Sequence, residues 1–140
     1  MALTENQEIK IYPELTRWKQ EVAAGAIHFF KNAICNFNAA GFVKLGTDTA
    51  GEKFAGIALQ ELDQAASAAT GDNEIKLIPA KSGEVVELDL TGVAITDIGA
   101  DVFVNGDDLV ALAATTNNDV RVGVIVALSE TSNKCLVKLN

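Results

Sequence analysis

The sequence predicts a mainly β protein: a small β-barrel or β-sandwich built of hairpins, with an N-terminal arm and one or two short helices. The chain has 140 residues, enough for one domain with its own core. Its residues are 49% hydrophobic but only 6% aromatic, so aliphatic side chains must supply most of that core. From about residue 33 onward, short β-like segments recur between turn residues, among them GFVKL, FAGIAL, EIKLIP, EVVELDL, DVFV, RVGVIVAL and KCLVKLN.

Three pairs of these segments are predicted to form hairpins, because turn-forming residues join them directly. The reversals fall at KSG (residues 81–83), at NG (residues 105–106) and at SETSN (residues 129–133). In the second hairpin, Val102 and Val104 share one face while the residues between them face the other way, which is the period of a strand.

The first 32 residues are predicted to be an N-terminal arm and lead-in segment, and residues 33–140 the β-rich domain. Within the lead-in, Pro13 suits the first position of a helix and Gly25 suits its C-terminal stop. We therefore expect a short helix over residues 13–24.

The segment LQELDQAASAAT, residues 59–70, interrupts the β pattern. Its leucines and alanines recur at helical intervals, and alanine is the best helix former. A short helix and an alanine-rich loop both fit, and both interpretations stay open.

An internal echo links the two halves of the β-rich part. GFVKL, FAGIAL and EIKLIP in the first half are followed in the same order by DVFV, VGVIVAL and KCLVKLN in the second. A duplicated β unit would produce this pattern, and so would the general likeness of one β-meander to another.

Charge and hydropathy exclude several classes of function. The 19 acidic residues outnumber the 11 basic ones, giving a net charge of −8, so nucleic acid is repelled at long range. No apolar run approaches the roughly 20 residues that span a bilayer, and the start of the chain lacks the order of a signal peptide. We expect synthesis in a cytoplasm, with both cysteines kept as thiols that fill apolar space.

The residue types needed for catalysis are present but not in the required arrangements. The spacing of Gly51 and Gly56 matches a phosphate-binding loop, yet the Lys and Ser/Thr that must follow are absent. His28, the only histidine, lies seven residues before Cys35, a spacing that leaves a Cys–His pair open. A lone histidine in an apolar run is more typical of a packed residue, so we expect no enzyme, cofactor or metal site.

The stretch DIGADVFVNGDDLVAL, residues 97–112, is rich in aspartate and invites comparison with a calcium loop. Starting from Asp101, the third and twelfth positions are Phe103 and Leu112, so two oxygen donors that such a loop needs are missing. The Asn-Gly step followed by Asp107 and Asp108 is typical of a hairpin turn with a solvent-exposed tip. A turn is the stronger prediction.

Three stretches together carry a resemblance to a known family: AAGFVKLGTDTAGEKFAGIALQEL, GEVVELDLTGVAITDIGADVFVNGDDLVALAATT and VRVGVIVALSETSNKCLVKLN. Their order of hydrophobic residues, glycines and turns resembles that of the small capsid decoration, or cement, proteins of tailed bacteriophages. The likeness covers roughly residues 38–140. The first 30 or so residues depart from the family pattern.

The resemblance implies a structural virion protein without catalytic activity. Such a subunit, commonly a homotrimer, would bind the outer surface of an expanded icosahedral capsid and clamp neighbouring copies of the major capsid protein. It would be made in the cytoplasm of the bacterial host and would contact neither nucleic acid nor a membrane. It would stabilise the shell against the pressure of packed DNA.

The predicted contact residues lie in the N-terminal segment. QEIKIY alternates, with Ile9 and Ile11 on one face, and such an arm can add a strand to a neighbouring sheet. Tyr12 and Trp18 are candidate anchors, because aromatic side chains dominate binding hot spots. Packing of Trp18 onto its own domain is an equally open interpretation. The alternative function is a small, non-enzymatic β-barrel binding module for a saccharide or a partner protein.

Overall fold

The computed structural model describes residues 18–140. Within this range the chain forms twelve short strands and two single turns of 3₁₀ helix, η1 and η2. In chain order the elements are β1 (Trp18–Glu21), β2 (Ile27–Phe29), β3 (Ile34–Phe37), β4 (Val43–Leu45), β5 (Lys53–Ala58), β6 (Leu62–Gln64), β7 (Glu74–Pro79), β8 (Val85–Asp89), η1 (Ile95–Asp97), β9 (Asp101–Val104), β10 (Val110–Ala111), η2 (Ala113–Thr115), β11 (Arg121–Leu128) and β12 (Lys134–Lys138).

The strands form two five-stranded sheets and one small ribbon. The first sheet has the order β1-β7-β5-β3-β4, the second sheet has the order β10-β9-β11-β12-β8, and the ribbon pairs β2 with β6. Both sheets curl like halves of a barrel, and all neighbouring strands within them are antiparallel. The prediction of a mainly β fold is confirmed.

The predicted short helices are wrong for the described residues. Where a helix was expected over residues 13–24, Trp18–Glu21 is a strand that pairs with β7, and the residues before it lie outside the described range. Lys19 and Glu21 are exposed while Val22 is buried, which fits a strand at a sheet edge. The predicted boundary between arm and domain at residue 32 stays a prediction, although β1 and β2 pair with strands that follow it.

Residues 59–70 also contain no helix: strand β6 is followed by turns. The buried Gln64 decides this conformation, because its Nε2 donates to the carbonyl oxygens of Ala23 and Gly25, each at 2.7 Å. Tertiary hydrogen bonds of a buried amide outweigh the small intrinsic preference of the alanines for a helix.

Two of the three predicted hairpins are confirmed. Strands β9 and β10 pair around residues 105–109, and β11 and β12 pair around residues 129–133, where Asn133 has a positive φ of 59°. The first prediction is wrong, because β7 lies in the first sheet and β8 in the second. The turn at residues 81–83 does form, with positive φ at Lys81 and Gly83, but it carries the chain from one sheet to the other.

The two sheets repeat one topology. Each starts with an edge strand (β1 or β8), continues into a hairpin (β3–β4 or β9–β10), and adds two strands (β5 and β7, or β11 and β12), the last of which pairs with the edge strand. Equivalent hydrogen bonds recur: the Val22 N–H donates to Asn73 O, and the Leu90 N–H to Asn133 O, each at 2.9 Å. This agreement supports a duplicated β unit.

The echo in the sequence matches this duplication only in part. AGI in β5 and VGV in β11 occupy equivalent strands, as the echo indicated. GFVKL, however, forms β4, whose structural counterpart is β10, whereas DVFV forms β9, the counterpart of β3. Short apolar segments align with several strands equally well, so strand order could only be read from the pairing.

Glycine is required at the same position of both repeats. A Cβ atom on Gly56 would lie 2.1 Å from the carbonyl oxygen of Ile78, and one on Gly123 would lie 2.1 Å from that of Lys138. Both glycines adjoin irregular register between β3 and β5 or between β9 and β11. Strand β7 approaches Gly56, and strand β12 approaches Gly123, so closely that only glycine fits.

The first sheet is buried on both faces. Its strand β5 has buried residues at five successive positions, which no one-sided sheet allows. On one face, Ile34, Phe54 and Ile57 share a core with the inner face of the second sheet. On the other face, Cys35 and Ala55 belong to a second core that the ribbon covers. The order of layers is thus ribbon, first sheet, second sheet.

Replacing Gly56 or Gly123 by alanine should destabilise the protein by about 1–3 kcal/mol each, because the added methyl group overlaps a backbone carbonyl. Urea unfolding followed by circular dichroism measures the loss. Gly92→Ala is the control, since Gly92 has a positive φ but no atom within 4 Å of the place where its methyl group would lie. A Gly123→Ala variant as stable as wild type would contradict the equivalence of the two repeats.

Candidate interaction surface

The predicted contact residues are only partly placed by the structure. Ile9, Ile11 and Tyr12 lie outside the described residues, and their roles stay predictions. Trp18 is the first residue of β1, where its backbone lies opposite Leu77 of β7. The chain therefore enters the first sheet at its edge, directly after the segment that carries the other three residues.

The aspartates of residues 97–112 have local structural roles or lie at a turn. The Asp97 side chain accepts a hydrogen bond from the Ala94 N–H at 2.8 Å. Asp101 pairs with Arg121 at 3.0 Å across neighbouring strands. Asp107 and Asp108 lie between β9 and β10. Among residues 18–140, no three His, Cys, Asp or Glu side chains come together as a metal site.

Both cysteines are buried in apolar surroundings. Cys35 has no exposed surface, and its thiol donates to the Ala33 carbonyl oxygen at 3.5 Å. Burial raises the pKa of Cys35 to about 12 and that of Cys135 to about 11. Such thiols hold almost no thiolate at neutral pH, which is the form that attacks substrates. Their environment fits the prediction that they fill apolar space.

His28 lies on the ribbon, not in the core with Cys35. Its Nε2 is 2.8 Å from a carboxylate oxygen of Glu61, and its ring stacks on Phe30 with centroids 4.0 Å apart. Phe30 itself is 58% exposed. The histidine thus helps to hold an exposed aromatic ring at the surface.

A polar cluster fixes the loop between β4 and β5. Lys44 Nζ contacts both oxygens of Glu52, at 3.0 and 2.8 Å, and Asn36 Nδ2 and Thr47 Oγ1 donate to the same carboxylate at 3.0 and 2.9 Å. Burial alone would raise the pKa of Glu52, but these hydrogen bonds and the Lys44 charge outweigh it and lower the pKa below 4.5. The cluster therefore stabilises the ionised carboxylate.

A second contact joins the two repeats through their loops. The Asp48 carboxylate accepts hydrogen bonds from the N–H groups of Asn117 and Asn118, at 2.7 and 2.9 Å. The Asn118 side chain donates back to the Asp48 carbonyl oxygen at 2.9 Å. The N–H of Asn117 is the main reason that the pKa of Asp48 is lowered.

A cleft of about 580 Å³ opens between the first sheet and strand β8 of the second. Its volume lies within the range of ligand-binding clefts. Its lining includes apolar residues of both sheets: Ile78 and Val86, which keep some accessible surface, and the buried core residues Ile34, Ile57 and Leu88. The exposed Phe30 adds an aromatic ring at its margin.

Carboxylates dominate the charge of this cleft. Its lining includes the four acidic residues Glu87, Asp89, Asp107 and Asp108, and two lysines. One of those lysines, Lys134, is already engaged at 2.7 Å by Asp89 and at 3.9 Å by Glu87. In the described part of the chain, Asp107 and Asp108 form no ion pair. The lining of the cleft therefore carries a net negative charge.

The sequence pattern did not reveal this cleft. It predicted that Asp107 and Asp108 lie at the solvent-exposed tip of a turn and that β8 pairs with β7. The residues come from six separate segments, and only the crossover at residues 81–83 brings β8 opposite the first sheet. EVVELDL was predicted to be a strand, but its residues do not indicate that the strand has a free edge.

No protein-family model, no curated protein and no solved structure matches this chain. Within residues 18–140, no helix is long and apolar enough to cross a membrane. A function must therefore be inferred from the chain's own residues and geometry, together with the resemblance of its three ordered segments.

The Glu52→Gln substitution should lower the free energy of unfolding by about 2 kcal/mol at pH 7, because it leaves Lys44 without its charged partner. The folded-state pKa of Glu52 is lowered, so its contribution is complete above 4.5 and is lost as the pH falls through the folded-state pKa. Urea unfolding at pH 7 and at lower pH should show the two proteins converging.

Glu130→Gln is the matched control, since it removes the same charge from an exposed turn. A Glu52→Gln effect that did not diminish on acidification would show that the carboxylate charge is not what stabilises the loop.

Proposed function

We propose that this protein is a capsid decoration subunit that binds the outer surface of an expanded phage head and clamps neighbouring major capsid proteins. The observation that carries the proposal is the order of the three segments that resemble the decoration family. All three fall within the duplicated β unit: the first forms β4 and β5, the second β8 to β10, and the third β11 and β12. A fold made of hairpins agrees with that family.

The mode of action in this proposal is thermodynamic. A ligand that binds the assembled, expanded lattice but not the separated subunits adds its binding free energy to the stability of the lattice. Many symmetric copies multiply the effect. Such a subunit needs rigid sheets and complementary surfaces but no reactive group, which agrees with the buried thiols of Cys35 and Cys135.

The surface charge supports a protein partner in preference to nucleic acid. The net charge of −8 repels DNA, and the cleft beside β8 is itself negative. An outer position on the virion, after synthesis in the bacterial cytoplasm, is compatible with this charge. Trimer formation and the contacts of Ile9, Ile11, Tyr12 and Trp18 belong to the same proposal.

One observation favours the alternative of a non-enzymatic saccharide-binding module. The cleft places the exposed ring of Phe30 near the carboxylates of Asp107 and Asp108. Apolar ring faces and fixed oxygen acceptors are the groups that a sugar would contact. Binding of glycans by the wild-type protein, lost in Phe30→Ala, would support this function over the capsid.

Purified protein should co-sediment with expanded, undecorated capsids of the phage that encodes it and not with unexpanded precursors. The reason is that the two lattices present different surfaces to a decoration subunit. Quantification of the pelleted protein measures the binding. Capsids already carrying their decoration protein are the control. Pelleting with neither form of undecorated capsid would refute the proposed function.

The N-terminal contacts are tested separately. Ile9→Asp with Ile11→Asp should weaken capsid binding about tenfold or more, because charge replaces apolar contacts, while leaving the unfolding midpoint of the domain unchanged. Asn6→Asp with Gln7→Asp adds the same charge at neighbouring polar positions and is the matched control. Equal binding by the two double variants would remove Ile9 and Ile11 from the interface.

A further inference from the structure

Among residues 18–140, strand β8 is the longest edge strand of the two sheets. It has five residues, whereas the other edge strands, β1, β4 and β10, have four, three and two. Proteins usually keep open edges short or cover them, because unpaired N–H and C=O groups recruit other strands. No described strand pairs with the outer edge of β8 over its first four residues.

The pairing with β12 determines which backbone groups of β8 face outward. The Leu139 N–H donates to Glu84 O at 2.8 Å, and the Leu90 N–H donates to Asn133 O at 2.9 Å. Hydrogen bonding alternates along an antiparallel pair, so the N–H and C=O groups of Val85 and Glu87 point away from β12. No other group within residues 18–140 binds them, so in this part of the chain they are available to a further strand.

The cleft runs along this edge. Four consecutive residues of β8, Val86–Asp89, line it, and successive residues of a strand belong to opposite faces of the sheet. A cleft that contacts both faces of a strand must reach the backbone edge between them. The apolar residues beyond the edge that keep accessible surface, Phe30 and Ile78, would receive alternate side chains of an added strand.

We propose that the edge of β8 and its cleft bind an extended segment of a partner protein in which apolar residues alternate with lysine or arginine. Backbone hydrogen bonds to Val85 and Glu87 would provide affinity and the apolar cleft would set the register. The carboxylates of Glu87, Asp89, Asp107 and Asp108 select the basic residues. The inference deepens the proposed function and rests on it for the partner, a segment of the major capsid protein.

A second copy of this chain fits the edge poorly. Two β8 strands side by side would bring Glu87 and Asp89 of each close to those of the other, and like charges on adjacent strands destabilise pairing. The whole chain is also strongly acidic, with a net charge of −8. Charge complementarity therefore favours a basic partner.

Binding is tested on the full chain with two blocked synthetic peptides, one alternating valine with lysine and the other alternating valine with glutamate. Fluorescence anisotropy of the labelled lysine peptide should show saturable binding, and the glutamate peptide should not bind. Amide hydrogen exchange should slow at Val85 and Glu87 when the lysine peptide is present. Binding without protection of these two amides would overturn strand addition at β8.

Two kinds of variant distinguish binding through the backbone edge of β8 from attraction by the carboxylates of the cleft. Glu87→Pro removes an outward N–H that β12 does not use and should abolish binding, whereas Glu87→Ala should retain most of it. Asp107→Lys with Asp108→Lys should weaken binding about tenfold or more. Asp63→Lys with Glu130→Lys changes the net charge equally at exposed positions outside the cleft and is the control. Equal loss in both lysine double variants would contradict a local role for the cleft.

The same variants distinguish this inference from the proposed function. If wild-type protein pellets with expanded capsids and Glu87→Pro pellets equally well, the capsid function stands and the β8 inference fails. If the lysine peptide binds at β8 but the protein does not pellet with capsids, the edge site stands and the capsid is not its partner. If neither the peptide nor the capsid binds, both are refuted.

Discussion

Ile34, Phe54 and Ile57 project from the first sheet into the core of the second sheet, while Cys35 and Ala55, their neighbours in sequence, project into the core under the ribbon. This two-sided burial holds the three layers in one body. It explains why β3 and β5 lack the alternation of a half-exposed strand. The cleft beside β8 exists because the second sheet is stacked on the first.

The same β unit meets two different environments within the chain. In the first sheet Ile34 lies opposite Ile57. At the equivalent position of the second sheet, Asp101 lies opposite Val124. Asp101 forms an exposed ion pair with Arg121 on a face that no described layer covers. A charged pair on an outer face disfavours the addition of another apolar layer. The stack therefore ends at the second sheet, and binding is left to edges and clefts.

Local patterns in the sequence were sufficient for the class of fold and for two hairpins. Val102 and Val104 share one face of a strand that leads into an Asn-Gly turn, and residues 129–133 offer few alternatives to a turn, so each hairpin depends on nearby residues alone. Partner choice is not local. The turn at Lys81 can lead the chain back onto its own sheet or across to another, depending on which strand edges are already paired. Trp18 belongs to a strand because β7 offers an edge for pairing. The cleft depends both on the crossover between the sheets and on which strand edges are paired. Neither is determined by nearby residues, so the cleft could not be predicted.

The two cysteines lie in different cores. Cys35 belongs to the core beneath the ribbon, and Cys135 belongs to the core between the sheets. Neither has exposed surface, and these are the chain's only thiols. Reaction with a thiol reagent therefore requires the protein to open, and the two positions report on different layers. The chain thus carries a built-in probe of whether its duplicated halves unfold as one cooperative unit or one after the other.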